Sequence, residues 1–153
     1  MARDAHEIYR DIATEQGAEF QDYVMDLFWD RLGIPLCLYS SKKRQWKTGE
    51  GRNGIEIKRD MRFKETGNLF IEYEEKATQR PGDFVKSGIA RADNTWLYVV
   101  GDFGCVFLFS KKLLVELKET GNYQVKQSHS QTSWGYLLPI TDAEKHSIIT
   151  IRD

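Results

Sequence analysis

Glu56, Glu72 and Glu74, together with Lys58 and Lys76, are the residues of this chain whose types and spacing could do chemistry. Over residues 54–59 apolar and charged side chains alternate strictly, so Ile55 and Ile57 share one face of an expected strand while Glu56 and Lys58 share the other. Alternation returns over residues 69–76, with Ile71 and Tyr73 facing one way and Glu72, Glu74 and Lys76 the other. If the two strands pair, Glu56 joins Glu72 and Glu74 across the ladder, within side-chain reach. Carboxylates gathered in this way repel one another and are tolerable when a hard divalent cation sits between them. Mg²⁺ or Mn²⁺ is the expected cofactor, held by one or two carboxylates, waters and phosphate oxygens. A lysine on the same face would stabilise the charge that develops in phosphoryl chemistry or orient the attacking water. The plain alternative, a solvent-facing strand surface laced by Glu–Lys pairs, has the same pattern.

A basic stretch surrounds these strands. Lys42, Lys43, Arg44, Lys47, Arg52, Lys58, Arg59, Arg62 and Lys64 crowd one part of the chain, opposed only by Glu50, Glu56 and Asp60, with Trp46 and Phe63 interleaved. That composition suits phosphate contacts plus stacking on bases, as a nucleic-acid partner would need; a solvated charged loop would read the same way. The net charge of −1 excludes a uniformly basic chain that coats nucleic acid but leaves room for a local basic patch.

The elements that must position these residues follow from periodicity. Residues 5–32 carry apolar side chains at helical spacing (Ile8, Ile12, Phe20, Tyr23, Val24, Leu27, Phe28), with Gly17 expected to divide a short helix from a longer one and Gly33 and Pro35 to end it. Residues 34–40 read as a first strand and residues 41–53 as a loop. Residues 83–92 are ambiguous, with a short helix carrying Phe84, Val85 and Ile89 as one reading. Residues 95–100 and 104–109 are strongly apolar strands, expected to pair as a buried hairpin. Ser110 fits an N-cap for a helix over residues 111–119, with Gly121 placed to stop it. A strand over residues 134–140 and a capping box, Thr141-x-x-Glu144, close the chain. Ser87-Gly88 and Asn94-Thr95-Trp96 read as turns and a core tryptophan. No internal repeat or linker interrupts the pattern. The expectation is one α/β domain over residues 1–153, a central mixed β-sheet flanked by helices.

Composition narrows the alternatives. At 41% apolar and 29% charged residues the chain reads as globular, not disordered. Cys37 and Cys105 both sit in apolar runs and read as buried reduced thiols; with His6, His129 and His146 scattered, no zinc spacing is present. No leader-like segment precedes the first helix and no apolar run is long enough to span a membrane, so a cytoplasmic location is expected. The sequence offers no P-loop and no Ser–His–Asp pattern worth weighing.

The chain resembles the PD-(D/E)xK nuclease superfamily, which includes many restriction enzymes and the Holliday-junction resolvases. Gly54-Ile55-Glu56-Ile57-Lys58 is similar to the strand that brings the first acid, with Glu56 in place of the usual Asp. Leu69-Phe70-Ile71-Glu72-Tyr73-Glu74 is similar to the strand that brings the acid-x-lysine triplet. The resemblance covers roughly residues 17–109 and implies a restriction-endonuclease-like fold and metal-dependent hydrolysis of DNA. It implies Glu56 and Glu72 as metal ligands and Glu74 as an assisting residue. Glu19, on the first helix, would be a further acid touching the metal. Glu74 stands where the family most often has lysine, so Lys58 or Lys76 would supply the positive charge from a shifted position. A second register takes Glu56-x-Lys58 as the triplet with Glu50 upstream. The oligomeric state stays open, a homodimer being one arrangement by which a nuclease of this size cuts both strands. Two other readings stay open: an inactivated relative that only binds nucleic acid or protein, and a subunit whose apolar 96–109 region meets a partner.

Overall fold

The computed structural model describes residues 5–37, 52–78 and 80–153, which form a mixed α/β protein of two four-stranded sheets and four helices. The chain opens with one long helix, α1 (Ala5–Leu32). Gly17 does not divide it; a single glycine costs a helix interior only about 1 kcal/mol, which the packed turns that follow outweigh. Phe20, Val24, Leu27 and Phe28 form the buried face, as the spacing requires, while the side chains of Ile8 and Ile12 lie outside the described residues. Residues 33–37 form no strand, and residues 38–40 of the expected first strand lie outside the described set.

Strand β1 (Ile55–Arg59) follows, then α2 (Phe63–Thr66), a single turn, and β2 (Asn68–Lys76). A short β3 (Phe84–Lys86) and a 3₁₀ turn (Gly88–Ala90) replace the helix considered for residues 83–92. The expected hairpin forms from β4 (Leu97–Asp102) and β5 (Cys105–Ser110), antiparallel with Leu97 opposite Ser110. Helix α3 (Lys111–Glu119) is capped by Ser110, whose side chain accepts the Leu113 N–H. Then come β6 (Val125–Gln127), β7 (Ser133–Pro139), α4 (Ile140–His146) and β8 (Ile149–Arg152). The last helix starts at Ile140, directly after Pro139, so Thr141 lies inside it and no side-chain cap forms.

The sheets are ordered β1-β4-β5-β8 and β3-β2-β7-β6. This corrects the expected pairing of β1 with β2. Strand β1 runs parallel to β4, with Glu56 beside Tyr98 and Lys58 beside Val100, while β2 joins the second sheet between β3 and β7. The physical cause lies in the connection. Asp60 accepts both the Arg62 N–H at 2.9 Å and the Phe70 N–H at 2.8 Å, and Phe63 is buried in the core. The chain is thus turned out of the first sheet instead of folding back on it.

One face of the first sheet, with Ile55, Ile57, Val99, Val106 and Leu108, packs against α1. Tyr98, Val100, Phe107 and Phe109 on its other face share a second core with Leu69, Ile71, Tyr73, Tyr136 and Leu138 of the second sheet and Leu114 of α3. Among the described residues no helix is long and apolar enough to cross a membrane.

Candidate active site

Alternation in β1 does what the sequence requires of it. Ile55 and Ile57 enter the core under α1, and Glu56 and Lys58 take the opposite face. Glu56 is buried, only 7% exposed, with its Oε1 3.4 Å from the Lys58 Nζ. A carboxylate this enclosed needs partners, and the lysine two residues on supplies one.

The second strand departs from simple alternation. Its register against β7 places Phe70 opposite Leu137, Glu72 opposite Gly135, Glu74 opposite Trp134 and Glu75 opposite Ser133, with a bulge between Glu72 and Glu74. Strand β7 runs straight through this region, so Ser133, Gly135 and Leu137 share a face. Their partners Glu75, Glu72 and Phe70 therefore share it too. Glu74, beside Trp134, and Lys76, opposite Phe84 on β3, fall on the other face. The bulge thus corrects the expected acid set: Glu75, not Glu74, stands with Glu72, and Lys76 is turned away from them.

The surroundings of Glu75 confirm the grouping. Burial pushes its carboxyl above the ordinary range; the nearby Glu72 and, more weakly, Glu56 push it further, while Lys58 and Arg91 pull it back. Three carboxylates and two cations from β1, β2 and the segment after β3 therefore lie within electrostatic reach of one another. The local balance is one negative charge in excess, a donor set whose chemistry suits a hard cation. Among the described residues, no three Asp, Glu, His or Cys side chains converge closely enough to ligate a metal ion by themselves.

The 87–95 segment, which reads as turns in the sequence, supports this patch. The buried Ser87 donates from Oγ to the Glu72 Oε1 at 2.8 Å, and its N–H donates to the Tyr73 carbonyl at 3.0 Å. Gly88 follows at φ +48, and a Cβ there would stand 2.2 Å from the Glu72 carbonyl oxygen. Only glycine lets this turn lie on β2 and deliver Ser87 to Glu72. Further along, Asp93, with a side chain 2% exposed, holds the Lys111 Nζ at 3.0 Å and the Arg91 Nε at 3.9 Å. Burial pushes the Asp93 carboxyl up, but the Thr95 N–H and the Lys111 ammonium outweigh it and hold it below its usual range. Asp93 thereby fixes the base of the segment that carries Ser87 and Arg91.

The other expected residues are distributed differently. Glu19 is exposed on α1, whose buried face packs on the side of β1 opposite Glu56. Arg59 is held by Asp102 at 2.7 Å with its guanidinium 4.8 Å over the Phe103 ring, and the Lys64 ammonium donates to the Phe103 carbonyl. Both are engaged around the β4–β5 turn. Arg62 is exposed, its Nε 3.9 Å from Glu65. Arg52 is exposed too, its N–H bonded to the Cys37 carbonyl at 2.8 Å. Lys42, Lys43, Arg44 and Lys47 lie outside the described residues, as does Glu50. Cys105 is buried, as expected, and burial pushes its thiol up; Cys37 is exposed. Trp96 is 62% exposed, not a core residue, and its indole N–H donates to the Asn53 carbonyl at 2.8 Å.

Glu75, Ser87 and Arg91 are the residues that sequence reasoning missed. A bulge has no local signature here, so nothing in the 69–76 string distinguishes Glu75 from Glu74. Ser87-Gly88 does stand out as a Ser–Gly pair, but only its placement on Glu72 gives that pair a role. Comparison of the chain with protein-family models, with curated proteins and with solved structures gives no match.

Proposed function

We propose that the chain is a Mg²⁺- or Mn²⁺-dependent phosphodiesterase acting on DNA, on a restriction-endonuclease-like version of the α/β architecture. The observation that carries this reading is the half-buried patch where Glu56, Glu72 and Glu75 face Lys58 and Arg91. Glu56 and Glu72 would hold the metal. Bound there, it would lower the pKa of a water and stabilise the leaving oxygen, the remaining coordination coming from waters and the substrate phosphate. Ser87 fixes the Glu72 carboxylate in one orientation. Glu75, whose carboxyl is pushed up by burial and by its acidic neighbours, is suited to accept the proton of the attacking water. Lys58, 43% exposed at its side chain, supplies the positive charge that the family pattern places two residues after its acid. Glu74 and Lys76, on the opposite face, take no part.

Incubation with Mg²⁺ or Mn²⁺ should cleave at least one of linear, nicked, single-stranded and branched DNA. Glu72→Ala should lose that cleavage while keeping its circular-dichroism spectrum. Intact DNA in all four cases would sink the proposal. One observation favours a second reading, a non-catalytic nucleic-acid-binding or protein-interaction module: among the described residues no ready-made three-ligand metal centre exists, and Glu56 already has Lys58. Calorimetric titration with Mn²⁺ separates the two. Binding that disappears in Glu56→Ala supports the enzyme, and no binding at millimolar metal supports the module.

A further inference from the structure

A cleft of about 430 Å³ opens beside the carboxylate patch. One wall is the 60–66 connection with Arg62; the other is the β6–β7 hairpin with Lys126 and His129; Phe70 and Leu137 lie between, and Lys58 is shared with the patch. Phe70 and Leu137 are cross-strand partners on the same face of the second sheet as Glu72 and Glu75, so cleft and carboxylates form one continuous surface.

Three properties define what this cleft takes. Its charge is basic: Lys58, Arg62 and Lys126 line it, with Arg59 also in the lining but held by Asp102, against a single acid, Asp60, whose oxygens already accept the Arg62 and Phe70 N–H groups. An anion is favoured. Its middle is apolar, with the Phe70 ring set against Gly135, where a Cβ would come within 2.7 Å of it. A flat ring system can rest there while its attached phosphates meet the rims. Its size falls in the range of small-molecule sites, roughly 300–1,000 Å³, which accommodates a nucleotide or two but not the breadth of a double helix. The hairpin wall is also preformed. Ser128 Oγ accepts the Thr132 and Ser133 N–H groups at 3.3 and 3.2 Å, and the Gln131 N–H bonds back to the Ser128 carbonyl at 2.9 Å.

We infer that the cleft binds an unpaired polynucleotide strand and feeds it to the carboxylate patch, with Arg62 and Lys126 on the phosphates and Phe70 under a base. The inference rests on the phosphodiesterase reading for the identity of the anion. It makes the β6–β7 hairpin a substrate wall and assigns Lys126 and His129 to the binding surface.

The test is fluorescence anisotropy of labelled oligothymidylate, oligouridylate and a blunt DNA duplex of equal length, in Ca²⁺ or EDTA so that nothing is cut. The single strands should bind more tightly than the duplex, the tighter of the two showing which sugar the site prefers. Lys126→Glu and Arg62→Glu should each weaken single-strand binding by about tenfold and reduce the slope of log affinity against log salt by about one. Both side chains are exposed, so melting temperatures should match the parent. Lys112→Glu, an exposed lysine on α3 outside the cleft, should bind as the parent does. Parent-like binding by both cleft variants, equal weakening by Lys112→Glu, tighter binding of the duplex, or no binding of any oligonucleotide overturns the inference. Because binding is read without turnover, the two proposals fail separately. Strand binding without cleavage removes the enzyme and keeps the cleft, whereas cleavage with an unchanged KM in both cleft variants removes the cleft and keeps the enzyme.

Discussion

The two sheets spend their side chains differently. The first is buried on both faces: Val99 and Val106 pack under α1 while Tyr98 and Phe107 enter the shared core, and residues 105–109 of β5 are buried without exception. The second packs one face into the shared core and leaves the other only partly covered. Its other face carries Phe70, Glu72 and Glu75, its outer strands β3 and β6 are three residues long, and its central strand is bulged. The difference separates two tasks. The doubly buried sheet provides a fixed frame, and Glu56 and Lys58 at its β1 edge inherit that rigidity. The second sheet leaves a surface free for the proposed chemistry, and its bulge sets which side chains that surface presents.

The sharpest test of the frame is Phe107→Ala. Its side chain is fully buried between the sheets, so the loss should be about 3–5 kcal/mol by urea denaturation. A loss under ~1 kcal/mol would show that the first sheet is not the stabilising half. Next comes Gly88→Ala, which forces a Cβ into a positive-φ site and against the Glu72 carbonyl. Backbone strain alone should cost ~1–3 kcal/mol, and the proposed cleavage should fall further than stability because Ser87 is carried off Glu72.

A smaller effect is expected at Glu75, and its sign follows from linkage. Burial, then Glu72 and Glu56, hold the native carboxyl above its ordinary value. The native state therefore binds this proton more tightly than the unfolded chain does. Stability should fall as pH rises from the ordinary Glu range through the raised native value, and the penalty persists above it. Glu75→Gln should flatten that part of the profile and leave the protein at least as stable at neutral pH, measured by thermal melts across pH. A variant with an unchanged profile would remove Glu75 from the patch. The smallest change is Val85→Thr, exposed on the β3 edge, which should shift stability by no more than ~0.5 kcal/mol. A larger loss would mean that the second sheet depends on its edges more than its short outer strands imply.

What could be read in the chain beforehand divides along the same line. The β4–β5 hairpin, the buried face of α1 and the Ser110 cap are local patterns, each decided by residues close in sequence, and all three form as expected. The face shared by Glu56 and Lys58 was legible for the same reason. The partner of β1 was not, because a parallel neighbour arrives only after β2, β3 and the 3₁₀ turn have been placed elsewhere, a non-local choice made by the core. The Thr141 capping box failed because Pro139 already supplies the helix entry. The first acid of the candidate site was therefore readable, and so was Glu72. Glu75 and Ser87 depend on a bulge and on a turn that touches β2 from outside it.

The bulge has a further consequence for how the motif is spelled. Counted along the chain, Glu72 and Glu75 are three residues apart; counted along β7, their partners Gly135 and Ser133 are two apart. In space the two acids keep acid-x-acid spacing, while the written string is one letter longer. The surplus letter is put to use: Tyr73 sinks into the shared core, its ring 3.9 Å from the Lys118 ammonium. A pattern search with fixed spacing would pass over such a site or pick Glu74 instead. Relatives of this patch are better sought by the partners their acids keep than by the gap between them.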